Sequence, residues 1–315
     1  MTTYKQTKGS SVQNFSSDPA NPIAGQVWYN TGSDVLKVSD GPVVGAWATA
    51  NSMNTTRASL AGAGTQTAAL AFGGNPASAL TESYNGTNWT EVNDLNTARR
   101  YLAGCGATNT ADLAFGGSYP YKTETENWNG TNWTEVNNLN LARAYLAGAG
   151  TNTSALAFGG FDNGAAAFSQ TEIWNGTNWT EVNDMNTGKR KTAGAGASNT
   201  AALSFGGSVS SSASALTETW NGTNWTEVND LNTARMYLAG CGTNTAALAF
   251  GGQFVSPAGV TETWNGTNWT ETGDMSTGRY KFAGAGTNTA ALAFGSVSAV
   301  EEWNVGGGTR TIDTE

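Results

Sequence analysis

The chain has 315 residues, with 24 acidic and 15 basic side chains for a net charge of −9, and it contains no histidine. The negative charge removes the usual electrostatic basis for binding nucleic acids or anionic membranes, and the absence of imidazole excludes mechanisms that need it as base, acid or metal ligand. Only 12% of residues are charged, whereas Gly occurs 41 times and Trp 12 times. This composition suits an all-β protein with many tight turns.

Residues 1–46 differ from the rest of the chain and are predicted to form an N-terminal attachment segment. Two alternating runs, 26–30 and 35–39, are joined by the turn-forming residues 31–34, which predicts a small β-hairpin. The first residues are polar and no apolar run approaches the ~20 residues that cross a membrane, so we expect neither a signal peptide nor a membrane span.

The rest of the chain is built from a repeat. The block that begins at Trp89, Trp-Thr-Glu-Val-Asn-Asp-Leu-Asn-Thr-Ala-Arg, returns with small changes at intervals of 42 to 46 residues. Its copies begin at Trp47 (degenerate), Trp133, Trp179, Trp225 and Trp269. Because internal self-similarity at this period is typical of propellers and solenoids, six structural units are expected over residues 47–303, followed by a C-terminal tail at 304–315.

Each unit is predicted to contain four short strands. In the second unit these are 99–106, 111–115, 125–128 and 132–136, with Ala107 to Thr110 as the first turn. The third and fourth strands flank Asn129-Gly130, a strong hairpin signal because both residues tolerate positive φ. Four antiparallel strands in about 45 residues correspond to one propeller blade.

The second strand of each unit has a large face and a small face. Leu70 and Phe72 share one face, and Ala69 and Ala71 share the other, so stacked blades should interdigitate with Phe against Ala. The first strand, rich in Gly and Ala, suits the crowded position next to the axis. The predicted phenylalanine ring comprises Phe72, Phe115, Phe158, Phe205, Phe250 and Phe294.

The last unit supplies only three strands. Trp47 precedes Arg57 by the same 10 residues that separate Trp89 from Arg99, so the strand around Trp47 is expected to complete the last blade and close the ring. The rival is that residues 309–314 fill this position.

The order of these features resembles the kelch repeat: an apolar run ending in Gly-Gly, an aromatic residue, a Trp five residues later, and a loop to Arg. The resemblance covers residues 47–303, with Lys189, Gly295-Ser296 and Tyr84 as departures. It implies a six-bladed, all-β propeller, most often a binding module. The Gly-Gln-Val-Trp-Tyr-Asn segment around Trp28 resembles segments of bacteriophage tail-fibre and other virion proteins.

Several repeated residues are interpreted as structural. Cys105 and Cys241 occupy the same position in opposite blades and are expected to be free, buried thiols. One Arg (or Lys189) and one Glu recur in every unit, which indicates structural pairing or loop anchoring because a catalytic residue would break the symmetry. The paired Trp residues are interpreted as packing, and the Asn-Gly-Thr and Asn-Trp-Thr sequons as turns.

The linkers between the second and third strands do break the symmetry. They are predicted to emerge on one face, and a rigid scaffold with variable loops suits recognition. The linkers are 75–80, 118–124, 161–170, 208–216, 253–260 and 296–299. Their aromatic residues, expected to be exposed and therefore candidates for ligand binding, are Tyr119, Tyr121, Phe161, Phe168 and Phe254.

The leading hypothesis is a non-enzymatic phage virion protein, a tail fibre, appendage or capsid decoration that binds a host surface or protein. It would be made in the host cytoplasm, bind other virion proteins through its N-terminal segment, and need no cofactor, metal or nucleic acid. A host-surface glycan and a second copy of the chain are further candidate partners. Two alternatives remain open: a cellular kelch-type protein- or glycan-binding module, and a hydrolase with a carboxylate pair at the channel mouth.

Overall fold

A computed structural model describes residues 12–17, 26–39, 44–118, 120–164, 166–306 and 309–311. Its contacts divide the chain into two compact units, one comprising 46–304 and the other 1–45 with 305–315. All regular secondary structure in the described residues is β-strand, so none of them forms a helix long and apolar enough to cross a membrane.

The strands are numbered in chain order. β1 to β4 are Gln13–Phe15, Val27–Asn30, Val35–Ser39 and Val44–Ala50. Blade 1 contains β5 to β8, at Ala61–Gly64, Ala69–Phe72, Thr81–Tyr84 and Trp89–Val92. Blade 2 contains β9 to β12, at Ala103–Thr108, Ala111–Phe115, Thr125–Trp128 and Trp133–Val136. Blade 3 contains β13 to β16, at Ala147–Thr151, Ser154–Phe158, Thr171–Trp174 and Trp179–Val182.

The second half continues the pattern. Blade 4 contains β17, β18, β21 and β22, at Ala193–Ser198, Ala201–Phe205, Thr217–Trp220 and Trp225–Val228, and its linker holds β19 and β20, at Ser208–Val209 and Ser212–Ala213. Blade 5 contains β23 to β26, at Ala239–Gly242, Ala247–Phe250, Thr261–Trp264 and Trp269–Glu271. The last strands are β27 to β30, at Ala283–Gly286, Ala290–Gly295, Val297–Gly306 and Thr309–Thr311.

The repeats form a closed, six-bladed β-propeller. The innermost strands β5, β9, β13, β17, β23 and β27 each contact the next, and β27 contacts β5. Blade 6 has the order β27-β28-β29-β4. The strand around Trp47, β4, therefore supplies its fourth strand, as the sequence predicts. In this strand Trp47 packs 5.0 Å from Phe250 between ring centroids, and its Nε1 donates to Thr261 Oγ1 at 3.0 Å.

The rival closure is wrong, because β30 pairs with β3 and not with blade 6. The predicted hairpin is present as β2 and β3, joined by residues 31–34. In the same sheet β1 runs parallel to β2 and gives the order β1-β2-β3-β30. The sequence analysis predicts neither the parallel strand β1 nor the pairing of β30 with β3.

The inner strand of blade 2 differs from its prediction. It begins at Ala103 and continues to Thr108, whereas 99–106 is expected. Residues 99–102 cannot be regular strand because Tyr101 has a φ of 56°, in the left-handed region. The turn accordingly narrows to Asn109 and Thr110.

The hydrophobic core lies between neighbouring blades. All six predicted phenylalanines are fully buried. The expected contact with alanine is incomplete, because each ring tip also points at a glycine of the next inner strand: a Cβ added to Gly104 would overlap Phe72, and one added to Gly240 would overlap Phe205. The other side of each ring meets a tryptophan, as with Phe72 and Trp133 at 4.9 Å.

The repeated Arg and Glu residues form one buried ion pair per blade, which confirms their structural interpretation. In blade 2 Arg99 Nη2 lies 2.7 Å from Glu126 Oε1, and in blade 4 Lys189 Nζ lies 3.4 Å from Glu218 Oε1. Glu126 also accepts a hydrogen bond from the backbone N–H of Asn96, in the crossover loop from the preceding blade. The six pairs are Arg57–Glu82, Arg99–Glu126, Arg143–Glu172, Lys189–Glu218, Arg235–Glu262 and Arg279–Glu301.

A hydrogen bond from each outer-strand tryptophan to the preceding blade repeats around the ring, with one exception. Trp133 Nε1 donates to Thr81 Oγ1 at 3.1 Å and Trp225 Nε1 to Thr171 Oγ1 at 3.0 Å. The equivalent position in blade 6 is Val300, and Trp89 Nε1 is buried with no hydrogen-bond partner among the described residues. One buried donor at the closing interface therefore lacks its acceptor.

Replacing Val300 with Thr is expected to stabilise the propeller by about 1 kcal/mol, because the near-isosteric hydroxyl supplies the missing acceptor. The free energy of unfolding in urea measures this. The matched control is Thr171→Val, which removes the same bond elsewhere in the ring and should cost a similar amount. A loss of stability in both variants would contradict this explanation of the unpaired indole.

Candidate functional site

One residue from each blade surrounds the axis at one end of the channel. These six residues, called the mouth ring, each lie two positions after the repeated Arg or Lys. They line a cavity of about 130 Å³ together with the leucine, threonine or phenylalanine that follows each of them. The mouth ring comprises Ser59, Tyr101, Tyr145, Lys191, Tyr237 and Lys281.

The backbone of the mouth ring closes on itself through hydrogen bonds. Each member's N–H donates to the carbonyl oxygen of its counterpart in the preceding blade, from Tyr101 to Ser59 at 2.8 Å and finally from Ser59 to Lys281 at 2.7 Å. All six residues have φ between 56° and 60°. Non-glycine residues rarely adopt this left-handed conformation, so six strained residues are fixed in identical backbone positions.

Apart from Ser59, the side chains of the mouth ring are aromatic or cationic, and several of them are in contact. Tyr101 and Tyr145 stack with ring centroids 4.1 Å apart. Lys191 Nζ lies 4.7 Å from the centroid of Tyr237, and Lys281 Nζ lies 5.0 Å from the same centroid. These are cation–π contacts, which position an ammonium group without neutralising its charge.

The free positive charge of the propeller is concentrated here. Among the Lys and Arg residues of 46–304, six form the blade pairs and Lys122 pairs with Glu124 at 2.8 Å. The remaining four are Arg100, Arg190, Lys191 and Lys281, and no carboxylate of the described residues lies within 4.0 Å of their charged groups. Arg100 and Arg190 each immediately precede a member of the mouth ring.

The electrostatics of the mouth follow from this clustering. Burial and the neighbouring charges of Arg190 and Lys281 lower the pKa of Lys191. Burial opposes ionisation of Tyr101, but the nearby Ser59 hydroxyl and the charge of Lys281 outweigh that effect and lower its pKa. Burial raises the pKa of Tyr145 and of Tyr237 in the same ring, so the neighbouring positive charges contribute to the shifts of Lys191 and Tyr101 but do not lower the pKa of every tyrosine.

A second, larger pocket adjoins the mouth between blades 6 and 1. It has a volume of about 420 Å³ and shares Ser59, Tyr101 and Lys281 with the mouth. Its other lining residues include Asn75 and Tyr280, which add an amide and a phenol ring. Together, the two cavities offer hydroxyl, amide, aromatic and ammonium groups.

The variable linkers flank the mouth on the same face. Isolated bridges pair residues beside the ring with residues of the linkers, as between Arg100 and Ser118 and between Ala144 and Phe161. The sixth linker is shorter than expected, because β29 already begins at Val297 and leaves Ser296 as the only connecting residue. Five linkers are therefore long enough to extend the face.

The candidate aromatic residues of the linkers are placed in different surroundings. Tyr121 contacts Phe161 edge-on at 6.1 Å, and the Arg190 guanidinium lies 4.2 Å from the Phe161 centroid. Tyr121, Phe161 and Phe168 are expected to be exposed, but they are half-buried. Phe254 is 63% exposed, and Tyr119 lies outside the described residues.

The sequence-based interpretation did not select the mouth ring. A signal for it exists: the two residues after each repeated Arg or Lys change from blade to blade, while their neighbours hardly change. These pairs read Ala-Ser, Arg-Tyr, Ala-Tyr, Arg-Lys, Met-Tyr and Tyr-Lys, starting at residues 58, 100, 144, 190, 236 and 280.

No carboxylate is among the described residues that line the mouth or the adjoining pocket. Nor do the described residues contain a group of three or more Cys, Asp or Glu side chains able to hold a metal ion. Cys105 and Cys241 are free and buried, as predicted, and burial raises the pKa of both thiols.

One buried acid breaks the symmetry away from the mouth. Asp112 occupies a position that is Ala in the other five blades, and it pairs in register with Gly106, which lines the opposite end of the channel. It is fully buried, neither carboxylate oxygen has a hydrogen-bond partner among the described residues, and burial raises its pKa well above the usual range.

Comparisons with known proteins support the fold. The solved structure titled "Structure of YjhT" matches with a TM-score of 0.65 and 12% sequence identity, over 84% of this chain and 97% of that one. At this identity the likeness shows the β-propeller fold alone. No known family profile matches the chain, and no curated protein does.

Replacing Asp112 with Ala is expected to stabilise the protein by about 1–3 kcal/mol at neutral pH, because an unpaired buried polar group is removed. In the unfolded chain this carboxyl loses its proton above about pH 4, whereas the folded chain retains it to higher pH. The penalty from Asp112 therefore grows as pH rises from 4, so the gain on substitution should be larger at pH 7 than at pH 4.

Urea unfolding of the parent and of Asp112→Ala at both pH values measures this gain. The pH dependence of the ion pairs is the same in both proteins, so it cancels when the two free energies of unfolding are subtracted. Asp112→Asn is the control, because it keeps a polar group that cannot titrate. Its gain in stability over the parent should also grow with pH. The difference in free energy of unfolding between Asp112→Asn and Asp112→Ala should stay constant. An equal gain for Asp112→Ala at both pH values would contradict the assignment.

Proposed function

We propose that the chain is a non-enzymatic virion protein of a bacteriophage, built on a kelch-type propeller that binds a host surface or another protein through its mouth face. The mouth face is defined as the mouth ring together with the five long linkers that flank it. No cofactor is needed for this role.

The main observation behind the proposal is that the residues that vary between blades lie together on one face of a nearly invariant scaffold. The buried phenylalanines, the ion pairs and the hairpin turns repeat from blade to blade. The residue pairs at the mouth and the linkers beside them differ in every blade, and they share one face. A rigid scaffold that varies only on one face is typical of a binding module.

The chemistry of the mouth favours binding over catalysis. Its charged groups are Lys191 and Lys281, flanked by Arg100 and Arg190, with no acid among the lining residues that could act as a base or acid partner. The hydrolase alternative needs a carboxylate pair, and Asp112, the one buried carboxyl of the described residues with neither a hydrogen bond nor a salt bridge, lies at the opposite end of the channel.

The virion assignment is supported by the N-terminal segment. Its Gly-Gln-Val-Trp-Tyr-Asn sequence, which resembles phage tail-fibre segments, supplies β2, and Trp28 in that strand is fully buried. A folded sheet in this segment suits a role in attachment to other virion proteins. The cellular binding-module alternative has no separate observation in its favour.

The test is whether the chain is a component of particles. Virions of the phage that encodes the chain are purified through a density gradient, and the ratio of the chain to the major capsid protein is measured in each fraction. We expect a constant ratio across the particle peak and no glycoside turnover by the purified chain. A chain that remains in the soluble fraction, or that hydrolyses a glycan, would contradict the proposal.

A further inference from the structure

We propose that the mouth binds an anionic oxygen group, a sulfate or a carboxylate, carried by a surface polysaccharide, with Lys191 and Lys281 as its charged contacts. The body of the sugar chain would lie in the adjoining pocket. This inference rests on the proposed function, since it names the ligand class of the mouth face.

The first support is the separation of charge within the molecule. The chain has a net charge of −9, yet the four cations of the propeller that form no ion pair with a described carboxylate all lie at or beside one cavity. Such a local positive field attracts an anion, while the overall negative charge opposes unspecific binding of polyanions elsewhere on the surface.

The second support is that the two ammonium groups are positioned before any ligand arrives. Lys281 Nζ lies over the rings of Tyr237 at 5.0 Å and Tyr280 at 5.2 Å, and Lys191 Nζ lies over Tyr237 at 4.7 Å. The aromatic faces restrict both side chains, and Lys191 Nζ also donates to Met236 Sδ at 3.8 Å, which leaves its other N–H groups available. Pre-positioned donors lower the entropic cost of binding an oxyanion.

The third support is the pocket beside the mouth, which fits a sugar. Its volume of about 420 Å³ lies within the range of small-molecule sites. Asn75 and Ser296 offer amide and hydroxyl partners for sugar hydroxyls, and Tyr280 offers an aromatic ring. Because Lys281 lines both cavities, one saccharide can place its charged substituent in the mouth and its ring in the pocket.

The backbone of the mouth argues against an acidic peptide. A peptide that binds by strand addition needs unpaired backbone N–H and C=O groups. At the mouth ring the N–H of every member already donates to the preceding blade, as for Tyr145 to Tyr101 at 2.9 Å and Tyr237 to Lys191 at 3.0 Å. Recognition must therefore come from side chains and cavity shape.

The experiment measures binding of the full chain to four polymers of known chemistry by biolayer interferometry: dextran sulfate, polygalacturonate, neutral dextran and poly-glutamate. The test variant is Lys191→Met with Lys281→Met, which removes both charges and keeps side-chain volume. The matched control is Lys122→Met, which removes one charge that is paired with Glu124. Urea unfolding checks that each variant keeps the stability of the parent, which we expect because the three lysines are only half-buried.

We expect the parent to bind dextran sulfate or polygalacturonate and not neutral dextran, with the preferred polymer identifying the anionic group. The double variant should lose at least about tenfold in affinity, and Lys122→Met should stay close to the parent. Affinity should also fall as NaCl is raised, because exposed charges are screened over about 10 Å at 0.1 M.

Three results would overturn the inference: no preference for the charged dextran over the neutral one, binding of poly-glutamate as tight as that of the polysaccharides, or an equal loss in Lys122→Met and the double variant. None of these would affect the particle measurement of the proposed function. Conversely, a chain absent from virions that still binds anionic saccharides through Lys191 and Lys281 would refute the virion role alone.

Discussion

The contact between a phenylalanine of one blade and a glycine of the next is the constraint on which the rest of the structure depends. Each ring lies fully buried between two sheets and occupies the space that a Cβ of the facing glycine would need. Burial of each phenylalanine contributes about 1.5–3 kcal/mol to the free energy of folding. This contribution comes from contact between neighbouring blades and not from contacts within one blade. No blade can therefore bury its large face alone, which makes closure of the ring a condition of stability.

This constraint also places the mouth face. Since the inner strands consist almost entirely of Gly, Ala and Cys, they approach one another closely enough for the residues just before them to meet around the axis. There the backbone turns through a left-handed residue in each blade and forms a closed circle of hydrogen bonds. The buried ion pairs anchor the crossover loops that lead into this circle, as Glu126 does for Asn96. Side chains at the six positions can differ without affecting the scaffold.

Much of the fold could be predicted because it is repeated. Six copies of one pattern determine the blade count, the phenylalanine positions and the hairpin turns, and the spacing of Trp47 to Arg57 identifies the closing strand. The mouth ring could not be derived from strand alternation, because residues such as Tyr101 fit a strand pattern while their φ angles exclude it. The parallel pairing of β1 and the environment of Asp112 depend on tertiary contacts that no local pattern encodes.

The most direct test of the phenylalanine–glycine contact is a double-mutant cycle at the interface of blades 4 and 5, measured as free energies of unfolding. Gly240→Ala adds a Cβ that would overlap Phe205 Cζ, and Phe205→Leu removes that ring tip. We predict that Gly240→Ala costs about 1–3 kcal/mol in the parent and much less beside Phe205→Leu, because overpacking is relieved. An equal cost in both backgrounds would contradict the contact as the constraint that holds the blades together.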